Sequence, residues 1–311
     1  MKKLLLAALI GAAFATPVAA QTLQVSTGGP KGTYHQMLLE MRAICTDGIQ
    51  LVPMESSGSV ENLARLVGNK VNGAFTQTDV LWVKSRTENL NNVKTLLALH
   101  PEEVHIIARS EERATGFFDR AKALIGRGEN TGPIHDASQL AGRTVAAAGG
   151  SFVTADAFRL QSEIRYNIVE AQSNDRAMEM LRDGRADAVM AVGGAPLAWV
   201  EALGREYRLV PVLEVQRERL KTIYNPATLS YTGMGAAGVP TVSVDALLVT
   251  REYKTKRFME QLAVLRACVY ANIDEFRETI GYHPKWQLVD VNNRGKMPWY
   301  DLPEVGTAAK K

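Results

Sequence analysis

Residues Gln21 to Met37 read QTLQVSTGGPKGTYHQM and residues Gln50 to Val83 read QLVPMESSGSVENLARLVGNKVNGAFTQTDVLWV. Twice, a short apolar run ends in a turn rich in glycine and hydroxyl groups, and that turn opens a helical pattern. In an α/β layer the strand C-termini and helix N-termini gather on one edge, where unpaired N–H groups and helix dipoles attract an anionic group. The unit is suited to holding a small anion or carboxylate.

Working outward, the pattern predicts strands at 23–27, 49–55 and 73–77 and helices at 33–45 and 59–67. Two further strands are expected at 94–100 and 104–109, rich in Val, Ile and Leu without helical spacing. A polar stretch from Ser110 to Pro133 interrupts the series and reads as a surface excursion. The alternation restarts with strands at 143–148, 166–171, 186–191 and 208–213 and helices at 152–162, 174–182 and 196–203, which makes a second α/β lobe. The segments ENLARLVGNKVNGAFTQTDVLWV and AMEMLRDGRADAVMAVGGAPLAWV follow the same order of elements, and this supports two lobes of similar build.

After residue 240 come a strand at 241–250 and a long amphipathic helix at 254–273, with no new βα series. This segment is expected to cross back and complete the first lobe. The expected organisation is an export signal at 1–20, a first lobe from 21–110 and 241–311, and a second lobe from 111–240, joined by two crossings near 110 and 240 that form a hinge.

Composition narrows the function. The chain has 311 residues, 36 basic and 33 acidic, and 46% are hydrophobic. Lys2 and Lys3, the apolar run Leu4 to Phe14 and the small residues up to Ala20 read as a cleaved export signal, too short to span a bilayer. Without the two lysines the balance is 34 basic to 33 acidic, a net charge of about +1. That balance argues against a nucleic-acid partner, and a soluble monomeric periplasmic protein starting at Gln21 is expected. Cys45 and Cys268 are the only cysteines. Their spacing excludes a CxxC metal motif, and they read either as a disulfide tying the two ends of the first lobe or as two buried thiols.

Motifs for covalent chemistry are missing: the sequence contains no GxSxG, HExxH, Walker or EF-hand pattern. No metal, no cofactor and no enzymatic activity are expected. Gly233-Met-Gly235-Ala-Ala-Gly238 spells GxGxxG, but a β-branched run and Pro240 follow where a Rossmann helix would have to start, so it reads as a crossing segment. His100 and His105 flank Pro101 and two glutamates and read as a solvated pair in a turn between strands.

Four turns remain as ligand candidates. Thr27, Gly28, Gly32, Thr33 and Tyr34 combine close backbone approach with hydroxyls and a phenol. Gly58 and Ser59 open a helix, and Gln77 and Asp79 follow the third strand on the same edge. In the second lobe Gly149, Gly150 and Ser151 repeat the first turn, with Gly193-Gly194-Ala195-Pro196, Gly194 at its centre, as a smaller companion. Strand C-termini of both lobes are expected to line one cleft.

The segments TGGPKGTYH, GSVENLARL, GAFTQTDVLW, LAGRTVAAAGGS and DGRADAVMAVGGAP, in this order, resemble the TAXI family, the extracytoplasmic solute-binding subunits of tripartite ATP-independent periplasmic (TRAP) transporters. The resemblance implies a type II periplasmic-binding-protein fold, a small anionic solute such as an organic acid or amino acid, and membrane permease subunits as partner. Position by position it carries the family's ligand signature onto Thr27, Gly28, Gly32, Thr33, Tyr34, Gly58, Ser59, Gln77, Asp79, Gly149, Gly150 and Ser151. The sequence departs from the family pattern at Ala146–Thr154, where a Gly-Pro-rich turn ending Gly-Ser-Gly-Thr is usual, and at His35, where a second Tyr is common. The competing readings are a sensor of the same fold signalling to a membrane receptor, and an enzyme on this fold, for which His35 is the one imidazole near the turns.

Overall fold

A computed structural model describes residues 21–46, 49–110, 132–303 and 305. In chain order the strands are β1 (Gln21–Ser26), β2 (Ile49–Met54), β3 (Gly73–Gln77), β4 (Val93–Arg109), β5 (Thr144–Ala148), β6 (Asn167–Ala171), β7 (Ala188–Gly193), β8 (Tyr207–Leu209), β9 (Asn225–Tyr231) and β10 (Ala236–Arg251). The helices are α1 (Thr33–Ile44), α2 (Ser59–Val67), α3 (Thr78–Ser85), α4 (Gly150–Ser162), α5 (Asn174–Asp183), α6 (Ala198–Glu201), α7 (Glu214–Leu220), α8 (Lys256–Ala271) and α9 (Ile273–Glu278).

The strands join one sheet in the order β2-β1-β3-β10-β4-β7-β5-β6, with β8 on β4 and β9 on β10. β1 pairs in parallel with β2 and β3, and β5 pairs in parallel with β6 and β7. Each parallel set meets a central antiparallel pair, β4 and β10. Both central strands run through two cores. Leu96, Leu97 and Leu99 of β4 pack with Leu23, Phe75, Leu248 and Trp286, whereas Val104 and Ile106 pack with Val145, Phe158, Met190 and Val244. On β10 the change falls between Val244 and Ala246.

Two expectations are therefore corrected. The strands expected at 94–100 and 104–109 are one continuous strand, and the chain crosses between cores inside β4 and β10 rather than near 110 and 240. Pro101 misled the reading because it cannot donate to a ladder; here it sits opposite Asp245, where β10 carries a register irregularity that absorbs the missing bond. The GxGxxG stretch forms the turn and bulged start of the β9–β10 hairpin, not a crossing. Most of the expected polar excursion, 111–131, and the export signal at 1–20 lie outside the described residues.

Local sequence explains the helices around the cleft. In α2 the buried residues Ser59, Asn62, Leu63 and Leu66 fall on one face at helical spacing. Asn62 locks that helix to the sheet: its Nδ2 donates to the Phe75 carbonyl at 2.8 Å and to the Thr27 carbonyl, and its Oδ1 accepts from Ser26 at 2.6 Å. Away from the cleft, α5 starts at Ser173, whose Oγ accepts from Arg176 N–H, and stops at Gly184 in the left-handed conformation. Cys45, just after α1, and Cys268, in α8, form a disulfide, which decides between the two readings of that pair.

Candidate functional site

Between the two cores lies a cleft of about 260 Å³ lined by Gly28, Gly32, Thr33, Tyr34, Gly58, Ser59, Gln77, Glu102, Gly150, Ser151, Val192, Gly193, Gly194 and Leu197. Three helices open onto it. α1, α2 and α4 begin after Gly32, Gly58 and Gly149, and none of the three has a side-chain cap. Other helices of the chain also lack side-chain caps. These three are distinguished by the glycine at the cap and by opening onto a common space. Gly58 and Gly149 have φ of +115° and +53°, a region that a side chain disfavours, so the sequence needs glycine to turn each strand end into a helix aimed at the cleft.

Without side-chain caps, the first turns of α1 and α2 carry N–H groups that have no intrahelical acceptor. Ser56, Ser57 and Glu61 brace the second turn from outside: Ser57 N–H and Oγ both donate to Glu61 Oε2, at 2.8 and 2.7 Å, and Gly58 N–H donates to Ser56 Oγ at 3.0 Å. In the second lobe Ser151 Oγ accepts from Val192 N–H at 3.0 Å, fixing the start of α4 to the end of β7. Gly150 brings the lobes close, since a Cβ there would stand 3.1 Å from Gln77 Oε1 and 3.9 Å from Ser59 Cβ.

The floor is made by side chains. Tyr34 stacks on Phe75 with ring centroids 4.9 Å apart and donates to Glu102 Oε2 at 3.1 Å. Gln77 Nε2 donates to the same oxygen at 2.5 Å, and His100 Nε2 stands 3.4 Å from Glu102 Oε1. Burial works to raise the Glu102 pKa, but His100, Gln77 and Tyr34 together outweigh it and hold the group below the usual carboxylate range. Burial, with the Glu102 charge beside it, pushes the Tyr34 phenol well up, so it stays a donor.

Ten of the thirteen residues expected from sequence line this cleft: Gly28, Gly32, Thr33, Tyr34, Gly58, Ser59, Gln77, Gly150, Ser151 and Gly194. Three do not. Thr27 is fully buried, its Oγ1 held 3.3 Å from His35 Nδ1 and 3.4 Å from the Met54 carbonyl. Gly149 is the hinge of the turn rather than its lining. Asp79 is fully buried, accepting from Val80 N–H at 2.8 Å and from the Tyr224 hydroxyl at 3.3 Å. Burial raises its pKa to about 6 against those hydrogen bonds, and the Glu102 charge adds to the rise.

Gly193, in the same expected turn as Gly194, lines the cleft as well, whereas Glu102, Val192 and Leu197 were not anticipated. The missed signal lay in HPEEVH, which lacks the Gly, Asn or Asp of a real turn and is flanked by strand formers on both sides. His100 and His105, expected in solvent, are both fully buried. No described helix is long and apolar enough to cross a membrane, and among the described residues no group of three or more His, Cys, Asp or Glu is placed to share an ion.

Two lobes threaded by a pair of central strands, with glycine-started helices facing a common gap, define the type II periplasmic-binding-protein fold, the Venus flytrap. The NMT1-like family matches residues 25–283, and the chain belongs to that family. Among solved structures the chain is similar to Tv2483 bound to L-arginine, with a TM-score of 0.52, 12% identity, 88% of this chain covered and 95% of that one. It is similar to the GluR0 ligand-binding core from Nostoc punctiforme in complex with L-glutamate, with a TM-score of 0.48, 16% identity and coverage of 81% and 93%. The BvgS periplasmic domain of B. pertussis matches with a TM-score of 0.48 and 15% identity over 80% of this chain, which spans 40% of that longer one.

Proposed function

We propose that this protein is an extracytoplasmic solute-binding receptor that captures a small carboxylate-bearing solute, an organic acid or amino acid, and delivers it to TRAP-type membrane permease subunits. It works as a monomer, exported by the segment ending near Ala20, and changes no covalent bond. One observation carries the reading: three glycine-started helix N-termini, two from the first lobe and one from the second, open onto a single gap. A carboxylate placed there accepts from backbone N–H groups at the positive ends of helix dipoles, and Thr33 and Ser59 add hydroxyl donors.

The lobes, meeting between Leu99 and Val104 on β4 and between Val244 and Ala246 on β10, close around the solute by bending those two strands. The TAXI resemblance supports the permease as partner, and the family match is compatible with it. The L-arginine held by Tv2483 supports a guest of amino-acid size. The test starts from a thermal-shift screen of dicarboxylates, amino acids and aromatic acids, because a ligand of the folded state raises the melting temperature by mass action. With the strongest hit as probe, Thr33→Ala combined with Ser59→Ala is expected to weaken binding about thirtyfold, two hydrogen bonds of about 1 kcal/mol each, with the fold intact. Unchanged affinity in calorimetry would sink the site.

A further inference from the structure

The rim and the floor of the cleft have opposite hydrogen-bonding character. At the rim, helix N-termini offer donors. On the floor, Glu102 Oε2 receives both Gln77 Nε2 and Tyr34 Oη. A carboxylate can only accept, so the Gln77 amide must turn its nitrogen to Glu102, and its carbonyl oxygen is left facing the other way. That oxygen is buried and has no partner. It lies 3.1 Å from where a Cβ on Gly150 would project, on the line along which the second lobe approaches the first.

A buried acceptor without a donor is unfavourable, and sequences keep one where something else supplies the hydrogen. Glu102 has room as well. A carboxylate has about four lone-pair sites, and among the described residues the Gln77 and Tyr34 donors and the His100 ring face this one. The Glu102 carboxylate disfavours a second anion on the floor, whereas the helix N-termini at the rim favour one.

We infer that the cleft selects acids carrying a hydrogen-bond-donating substituent, an ammonium, amide or hydroxyl group, which Gln77 Oε1 and Glu102 read while the helix N-termini hold the carboxylate. This rests on the carboxylate reading above and narrows it. Gln77 and Glu102 are then specificity residues: they decide between acids rather than whether an acid binds.

The experiment uses matched probes that differ in the donor. Calorimetric titration of the mature chain compares L-glutamate with glutarate, L-leucine with 4-methylpentanoate, and L-lactate with propionate. In at least one pair the donor-bearing member is expected to bind about tenfold tighter or more, and Gln77→Leu is expected to cut that ratio to below roughly threefold. Glu102→Gln, which keeps the shape of the floor, serves as the second variant if Gln77→Leu melts early by circular dichroism. If in every binding pair the plain acid binds as tightly as its partner, or the ratio survives both substitutions, the inference is overturned and the carboxylate reading stands. An acid found by the thermal-shift screen is compared with its donor-free analogue in the same way, and if neither these six probes nor any acid of that screen binds, the carboxylate reading fails and takes this one with it.

Discussion

Glu102 and Glu103 are neighbours on β4, both nearly buried, and the alternation of the strand sends them to opposite faces. On the Glu102 face, polar atoms are left open toward the cleft. On the Glu103 face the polar groups are paired with one another. Glu103 Oε2 accepts from Ala195 N–H at 2.7 Å, and Lys285 Nζ, 3.8 Å from that oxygen, donates to the Ala195 carbonyl at 2.8 Å. His105, whose pKa burial lowers to about 4, stays neutral; its Nδ1 meets the Glu103 carbonyl at 2.8 Å and its Nε2 the Tyr231 hydroxyl at 2.7 Å. Tyr231 in turn accepts from Leu197 N–H at 2.8 Å. Two adjacent carboxylates thus do different jobs: one is offered to a guest, and the other clamps the Gly193–Leu197 turn so that the second lobe presents a fixed wall.

The sharpest way to break this contrast is to remove the clamp. Glu103→Ala leaves the buried Lys285 charge without its counter-ion and the Ala195 N–H without its acceptor, and stability is expected to fall by about 3–5 kcal/mol. Urea unfolding at neutral pH reads this directly. Glu102→Gln, which leaves an acceptor for Tyr34, is expected to cost much less. Equal losses for the two would mean that both faces are structural and that the contrast is empty.

A third buried carboxylate extends the comparison, because Asp79 joins α3 to the second lobe through Tyr224 and feels the Glu102 charge. Its folded pKa of about 6 lies above the ordinary 3.8. Between those values the folded state holds a proton that the unfolded chain has released, so this group's contribution to stability is present below about pH 4 and is lost as pH rises through about 6. The loss is on the order of 3 kcal/mol. Asp79→Asn is expected to remove that descent from the urea midpoint measured between pH 4 and 8. A variant that tracks the parent's slope would show that Asp79 is not the group responsible.

Most strands and the cleft rim were legible in sequence; β9, the continuity of β4 and the floor were not, for a physical reason. Glycine caps at Gly32, Gly58 and Gly149 are set by backbone geometry over a few residues, so the helix starts can be read locally. The role of Glu102 depends on Tyr34 and Gln77, 68 and 25 residues away in sequence, and on a strand that continues through a proline. Asp79 shows the converse. Its place just after β3 suggested a ligand contact, but helix α3 turns it into the protein, where a tyrosine 145 residues on completes its shell. The disulfide followed the same rule: the two cysteines were evident, while their 5.8 Å Cα separation is a property of the fold.

The smallest change tests whether the open face is open for a guest. Gly150 has an ordinary helical φ, so alanine is tolerated by the backbone, and as a better helix former it should shift stability by no more than about 1 kcal/mol. The added methyl would press within 3.1 Å of Gln77 Oε1, in the space assigned to the solute. Gly150→Ala is therefore expected to weaken solute binding by about tenfold while the melting temperature of the unliganded protein stays put, a split that thermal shift with and without ligand resolves. Should affinity be unmoved, the guest does not pass between Gly150 and Gln77, and the donor-poor floor is closed off by the protein itself when the lobes meet.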